Sequence, residues 1–146
     1  MYAYNGIYMT EGIIKVISEY GFEETLSNVM ESIKEHGITI FSVINHKKNA
    51  EEVGLSMANA TLLIFGNAQA GTKLMQDKMS IAIDLPLRLL ISEEDEKVVL
   101  RYYNPLYLAK MHQLDKDLDV INKVSGLLNS IVMQASGKTE ETMSKE

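Results

Sequence analysis

The sequence contains no cysteine, which excludes disulfide bonds, thiol nucleophiles, iron–sulfur clusters and the usual structural zinc sites. A chain without cysteine fits a reducing compartment, so we expect a cytoplasmic protein. The sequence also lacks an apolar run near the roughly 18 residues of a membrane-spanning helix, and its first residues lack the basic-then-apolar order of an export signal. We therefore expect no membrane partner.

Positive charge is scarce as well, because 14 Lys and Arg residues stand against 20 Asp and Glu residues, giving a formal net charge of −6. This balance repels a phosphate backbone unless the basic residues cluster. They are spread along the chain, and only Arg88 and Arg101 are arginines. The sequence therefore predicts no nucleic-acid partner.

The 146 residues are 46% hydrophobic and 23% charged, close to the averages for a globular domain. Two independent cores would need more chain, since each usually takes roughly 100 residues. We predict one domain over residues 1–136, followed by a polar C-terminal tail over residues 137–146.

The N-terminal half alternates between strand and helix patterns. β-Branched residues over 13–17 predict a strand, and apolar residues at helical spacing from Phe22 to Ile33 predict a helix that ends at Gly37. Residues 38–44 predict a second strand. A polar break over 45–49 and a short helix over 50–53 follow.

The C-terminal half predicts a hairpin and further helices. Acidic residues 93–96 separate two runs of strand-forming residues and indicate a hairpin turn, while Pro86 indicates an edge strand or a bulge. The predicted strands cover residues 61–65, 81–83, 85–91 and 98–103, and the predicted helices cover residues 70–79, 106–114 and 118–132. The sum is an α+β fold: a mostly antiparallel sheet, a helix between its first two strands, and a long C-terminal helix packed on the sheet.

The stretch from Gly66 to Lys73 nearly matches a phosphate-binding P-loop. It has the G-x-x-x-x-G spacing between a strand and a helix, but it continues Thr72-Lys73 where the motif has Lys followed by Ser or Thr. The exchange turns each side chain by about 100° around the helix, so both phosphate and magnesium contacts would be missed. Anion binding by backbone N–H groups at the helix start, or a plain glycine-containing turn, remain open.

Asp84, His46 and His112 are the residues best suited to acid–base chemistry. Asp84 lies among apolar residues with no other charge until Arg88, so burial would require pairing or protonation. His46 follows a strand, and His112 lies on a predicted helix. The three could form a metal site or an acid–base cluster, although no close sequence spacing links them. Pairing of Asp84 with an arginine would instead make it structural.

Two other groups have mainly structural explanations. His36 comes directly before Gly37, where a cation suits the end of a helix. Tyr102, Tyr103 and Tyr107 flank Asn104-Pro105 and could line a pocket or an interface, or form the edge of the core.

Seven segments in order resemble the domain-of-unknown-function family 302. They are Gly21 to Thr25, Val43 to His46, Ala50 to Leu55, Leu63 to Asn67, Gly71 to Met75, Ala82 to Leu87 and Tyr103 to Pro105. The resemblance implies a curved antiparallel sheet with helices, similar to the TATA-box-binding-protein-like class, and a homodimer. It implies no activity. The sequence departs from the family at Asn45, where members have Asp, and at Ala68, where members have Pro.

Polar residues from the family motifs and from the strand ends are expected to line one cleft, because polar groups at strand ends suit the mouth of a pocket. The candidate residues are His46, Asn67, Thr72, Asp84, Tyr103 and His112. We interpret the protein as a homodimer that binds a small, polar ligand, with no cofactor identified and no metal ligand assigned.

Two alternatives remain open. An enzyme would use Asp84 or His46 as the base, His112 as the acid, and Asn67 with the Gly71 amide to stabilise an oxyanion. A structural partner protein would need only an apolar face for its dimer.

Overall fold

The computed structural model describes residues 2–4, 6–10 and 12–138, which form seven strands, five α-helices and one 3₁₀ helix. The strands are β1 (Tyr2–Tyr4), β2 (Ile7–Thr10), β3 (Ile13–Ile17), β4 (Thr39–Asn45), β5 (Ala60–Gly66), β6 (Leu87–Glu94) and β7 (Lys97–Tyr103). The helices are α1 (Phe22–Glu35), α2 (His46–Glu52), α3 (Ala68–Asp77), the 3₁₀ helix (Met79–Asp84), α4 (Pro105–Met111) and α5 (Leu118–Ser136). The predicted tail lies outside the described residues from residue 139 onward.

The strands form one sheet in the order β1-β2-β3-β7-β6-β5-β4. Every neighbouring pair is antiparallel, which confirms the predicted α+β class with an antiparallel sheet. After β3, helix α1 leads the chain from the interior of the sheet to β4 at its far edge. That edge lies next to a cavity described below.

Helices α1 and α5 cover one face of the sheet, and the core lies between the sheet and these two helices. Burial along β5 alternates, with Leu63 and Phe65 fully buried and Leu62 and Ile64 only half-buried. Because successive strand residues point to opposite faces, the first pair faces the helices and the second faces the open side. The core of this layer also contains Val29, Ile33, Leu89, Ile91, Leu100, Leu128, Ile131 and Val132.

Helix α1 forms where the apolar spacing predicts it, and Gly37, directly after the C-cap residue His36, has φ +70°. This backbone conformation is accessible to glycine at little cost, so the helix ends there. The acidic hairpin is confirmed too: β6 ends at Glu94 and β7 begins at Lys97, with Asp95 and Glu96 both at positive φ, as a tight two-residue turn requires.

Three local predictions are wrong. Residues 81–83 belong to the 3₁₀ helix and not to a strand, because Ile81 alone is buried there and Ile83 points to solvent. Pro86 precedes β6, which is an interior strand, so its missing N–H removes no hydrogen bond from the ladder. The polar break at 45–49 is mostly helix α2, which begins at His46.

A second apolar cluster joins α3, the 3₁₀ helix, α4 and the start of α5 beside the sheet. It contains Leu74, Ile81, Leu108, Ala109, Leu114 and Ile121. All six side chains are buried, and their packing against one another holds the 3₁₀ helix against the C-terminal end of α4. The positions of several candidate residues depend on this cluster.

Candidate functional site

A cavity with a volume of about 600 Å³ lies between α3, α5 and the sheet edge formed by β4 and β5. This volume is in the range of pockets that hold small molecules, roughly 300–1,000 Å³. Its wall is mostly apolar. The apolar lining includes Ile38, Phe41, Phe65, Leu74, Met75, Leu85, Leu87, Val120, Val124 and Leu127.

Basic side chains stand at the surface of this cavity. Lys73 on α3, Lys123 on α5 and His36 at the end of α1 are exposed and contribute to its lining. Among the described residues, no carboxylate lines the cavity, and neither lysine belongs to a salt bridge. The cavity therefore combines an apolar interior with a positive rim, on a chain whose net charge is −6.

Asn67 and Thr72 both line this cavity. The Asn67 side chain caps α3, since its Oδ1 accepts a hydrogen bond from the Ala70 N–H at 3.0 Å. Helix α3 begins at Ala68, two residues before the predicted start, so Gly71 and Thr72 lie within the helix. Their N–H groups belong to helical turns instead of a phosphate-binding loop, which removes the resemblance to a P-loop.

Asp84 and His112 form a hydrogen-bonded pair away from the cavity wall. His112 Nε2 lies 2.6 Å from Asp84 Oδ2, and Arg88 Nη2 lies 3.6 Å from Asp84 Oδ1. The His112 and Asp84 side chains are 10% and 17% exposed. On its other nitrogen, Nδ1, His112 lies 2.9 Å from the hydroxyl of Ser80. Asp84 is thus paired with both a histidine and an arginine.

Tyr103 lies near Asp84. Both line a narrow cavity of about 10 Å³, which has room for no more than one water molecule. The rings of Tyr103 and Tyr107 stack with centroids 6.3 Å apart. Tyr102 is buried on the opposite side of β7, and burial raises the pKa of its phenol to about 12. That residue is therefore neutral at physiological pH and belongs to the core.

His46 lies in a third place. It is the first residue of α2 and half-buried, it lines neither described cavity, and Asn45 caps the helix by accepting the Lys48 N–H at 3.0 Å. The six candidate residues are thus divided: Asn67 and Thr72 line the large cavity, while Asp84, Tyr103 and His112 lie together elsewhere. The single cleft expected from the sequence is not what the described residues form.

Three further residues are not among the six candidates. Lys73 ends the P-loop-like stretch, but Lys123 lies 50 positions away on a different helix, and a lone lysine on a helix is typical of solvated surface. Ser80 belongs to no nucleophile motif. For Ser80, the only available signal was its place four residues before Asp84.

Asp77, at the end of α3, fixes the loop that leads into α5. Its Oδ2 accepts the backbone N–H groups of Asp115, Lys116 and Asp117 at 3.1, 2.9 and 3.4 Å. These hydrogen bonds, that from Lys116 foremost, hold the pKa of the Asp77 carboxyl below its usual range. The carboxylate therefore links the C-terminal end of α3 to the N-terminal end of α5.

No group of three or more His, Asp and Glu side chains within residues 2–4, 6–10 and 12–138 is arranged to hold a metal ion. In the same ranges, none of the helices has the length and apolar character needed to cross a membrane.

Comparisons with known proteins give one family and two kinds of relative. The family described as "Domain of unknown function DUF302" matches residues 14–131. A crystal structure titled as an uncharacterized conserved protein DUF302 from Bacillus stearothermophilus has the same fold, with a TM-score of 0.76 and 19% identity over 86% of this chain and 99% of that one.

Curated relatives from Brucella are closer in sequence. The chain is 40% identical over 113 residues to "Fluoride-specific ion channel FluC 1" from Brucella suis biovar 1, covering 77% of this chain and 44% of that protein. The same identity is found with "Fluoride-specific ion channel FluC 2" from Brucella melitensis biotype 1, of which 42% is covered. The chain spans less than half of the length of these relatives.

Proposed function

Because the chain belongs to the family described as domain of unknown function DUF302, which names no activity, we propose its function from its geometry: it binds a small amphipathic anion in the cavity between α3 and α5. The ligand has an apolar body and an anionic head group such as a carboxylate. The polar ligand expected from the sequence is thereby changed to one with a substantial apolar part.

The shape and the composition of the cavity support an apolar body. Leu74 on α3, Phe65 on β5 and Val124 on α5 belong to walls on three sides. Burying apolar surface against such walls contributes about 25 cal/mol per Å² before the costs of association are subtracted. A purely polar molecule would lose its hydration there without regaining hydrogen bonds.

The charges at the rim support an anionic head group, and this is the observation on which the proposal rests. Lys73 on α3 and Lys123 on α5 belong to different walls of the cavity and are in no salt bridge among the described residues. An anion between them would be attracted by both, and no carboxylate within the described ranges lines the cavity to repel it. The rim of the cavity is therefore positively charged, although the whole chain has a net charge of −6.

We expect sodium decanoate to bind more tightly than decanol, measured by isothermal titration calorimetry on the full chain. The Lys73→Gln/Lys123→Gln variant should bind decanoate about tenfold more weakly, because it removes two charge interactions worth a total near 1.4 kcal/mol. The same variant should leave the affinity for decanol unchanged.

The matched control is Lys110→Gln/Lys116→Gln, which removes two exposed lysines that do not line the cavity. Its affinity for decanoate should equal that of the wild type. Equal binding of decanol and decanoate, or an equal loss in both double variants, would refute the anionic head group. No binding of either compound would refute the proposal as a whole.

The names of the Brucella relatives favour a second candidate, in which the rim lysines bind fluoride and the domain serves a fluoride channel. A titration with sodium fluoride, with sodium chloride as the control, tests it on the same protein. Binding of fluoride alone, lost in Lys73→Gln/Lys123→Gln, would replace the amphipathic ligand. In either case we propose that the domain works in the cytoplasm, as the absence of cysteine suggests.

We also propose that the protein is a homodimer joined through the edge strand β4. The strand is Thr39–Asn45, with the sequence TIFSVIN, and contains no charged residue. Phe41 and Val43 are 55% and 46% exposed. Edge strands usually carry charges or proline that prevent pairing, and β4 has neither. A second copy fits because an uncharged strand can pair with itself in antiparallel register about a two-fold axis.

Light scattering after size-exclusion chromatography should show a dimer for the wild type and a monomer for Val43→Lys. The substitution would bring one positive charge from each copy into an otherwise uncharged strand pair, and like charges close together destabilise such pairs. The control is Leu118→Lys, at a comparably exposed apolar residue at the start of α5, which should stay dimeric. A monomeric wild type, or a dimeric Val43→Lys, would exclude this interface.

A further inference from the structure

Three side chains near the end of α4 are hydrogen bonded in series. Ser80 Oγ lies 2.9 Å from His112 Nδ1, and His112 Nε2 lies 2.6 Å from Asp84 Oδ2. A hydroxyl, an imidazole and a carboxylate in this order make up the constellation that activates serine in hydrolases on unrelated folds. In the usual arrangement Nε2 faces the serine and Nδ1 faces the carboxylate, whereas here Nδ1 faces Ser80 and Nε2 faces Asp84. The order of hydroxyl, imidazole and carboxylate is the same.

The direction of these hydrogen bonds follows from the chemistry of the groups. A carboxylate can only accept, so His112 Nε2 must carry the proton that is donated to Asp84. In the neutral imidazole, Nδ1 then has a free lone pair and accepts from the Ser80 hydroxyl. The orientation is therefore the one in which His112 can remove the Ser80 proton.

The groups are held by packed elements. Ser80 and Asp84 lie on the 3₁₀ helix, anchored by buried Ile81, and His112 directly follows α4, anchored by buried Leu108. Both anchors belong to the second apolar cluster. Arg88 Nη2 adds positive charge 3.6 Å from the second oxygen of Asp84. Rigid supports of this kind are needed to keep a catalytic hydrogen bond in place.

Access is unequal along the series. The His112 side chain is only 10% exposed, whereas Ser80 is exposed to solvent. A reagent can therefore reach the Ser80 hydroxyl, while the imidazole of His112 is largely shielded from solvent. If these hydrogen bonds were purely structural, the Ser80 hydroxyl at the end of the series would not need to be exposed to solvent.

We propose that Ser80, His112 and Asp84 form a second site, which hydrolyses small carboxylic esters through an acyl-serine intermediate. Ser80 Oγ attacks the carbonyl carbon as its proton passes to His112 Nδ1. The bond to the alkoxy oxygen then breaks, and the departing alcohol takes that proton. Water next attacks the acyl group, giving its proton to His112, and the acid leaves as Ser80 regains its hydroxyl proton. One ester and one water become one acid and one alcohol.

In this scheme Ser80 and His112 are catalytic residues, and Asp84 is a positioning residue that acts through His112. An exposed apolar side chain directly precedes each of them in the chain: Met79, Ile83 and Met111 are 75%, 82% and 48% exposed. Such a surrounding favours an ester with an apolar acyl group, such as a butyrate, over a charged one.

A fluorophosphonate probe tests the nucleophile directly, because it modifies serines activated in this way and leaves ordinary ones unmodified. Incubation with the full chain should add one probe per molecule by intact mass, and peptide mapping should place it on Ser80. Ser80→Ala should abolish the adduct, while Ser130→Ala, at an exposed serine of α5, should leave it unchanged. His112→Gln should slow labelling about 100-fold, the usual contribution of a general base. An adduct at another residue, or none, would overturn the proposal.

A cysteine variant tests the base and the positioning residue independently of substrate choice, since the natural chain has no other thiol. Ser80→Cys should react with iodoacetamide at a lower pH than Ser130→Cys, because His112 can stabilise the thiolate, and free thiols ionise near pH 8.5. Adding Asp84→Asn to Ser80→Cys should move the midpoint of this pH profile to higher pH. The His112 imidazolium would then lack the carboxylate that stabilises it, and it would stabilise the thiolate less. A merely structural Asp84 would leave the midpoint in place. Identical profiles for Ser80→Cys and Ser130→Cys would also overturn the proposal.

Discussion

Replacing Leu63 with alanine is expected to lower the free energy of unfolding by about 2 to 5 kcal/mol, measured by urea denaturation. Leu63 is fully buried at the centre of β5, between β4 and β6, and faces α1 and α5. Its loss removes apolar burial and leaves a space that packed neighbours such as Ile33 fill only in part.

The neighbouring residue gives a matched control. Leu62→Ala makes the same chemical change one position along β5, but Leu62 is half-buried on the opposite face of the sheet. We expect a smaller loss, since part of this side chain is already hydrated in the folded protein. Equal losses at the two positions would contradict the assignment of the helical layer to the Leu63 face.

Gly12→Ala is expected to destabilise the protein by about 3 kcal/mol, from two separate causes. Gly12 has φ +81°, a conformation that a residue with a Cβ adopts only with strain. A Cβ there would also overlap the ring of Tyr107 at Cγ. The backbone is not free to move away, because the Gly12 carbonyl accepts the Asn104 N–H at 2.8 Å.

Thermal unfolding of a double variant separates the two causes. In a Tyr107→Ala background the overlap is gone, so Gly12→Ala should then cost only the strain of the positive φ, about 1 kcal/mol. The control is Gly37→Ala, which also has positive φ but has open space where its Cβ would be. If Gly12→Ala cost no more than Gly37→Ala, contact with Tyr107 would not constrain this turn.

Much of the fold could be predicted because its elements have local signals. Helical spacing from Phe22 located α1, and apolar residues bounded by polar ones located β5. The sequence analysis does not predict the N-terminal hairpin β1-β2, because strands of three and four residues are too short to show an alternation of apolar and polar residues. The family resemblance is confirmed, whereas the TATA-box-binding-protein-like class, the homodimer and the boundaries of a single domain stay predictions.

The candidate sites were harder to predict because they depend on packing between distant segments. Asp84 and His112 were identified from residue type, but their contact joins residues 28 positions apart and depends on how the 3₁₀ helix meets α4. The sequence predicts a strand where the 3₁₀ helix forms, because Ile81 and Ile83 alternate with a small and an acidic residue. No sequence motif spans the large cavity. The P-loop-like stretch from Gly66 to Lys73 lines one wall, but the other walls are ordinary apolar faces of helices and strands from distant parts of the chain.

The carboxylate of Asp77 has a consequence for how the large cavity can change size. It joins the C-terminal end of α3 to the first backbone N–H groups before α5, and the ion pair between Lys78 and Asp115 lies at the same end. These contacts connect the two walls at that end, so the width of the cavity is constrained there. Phe41 lies on β4 and also lines this cavity, so if two copies pair through β4, one residue would belong to both the dimer interface and the wall of the ligand site.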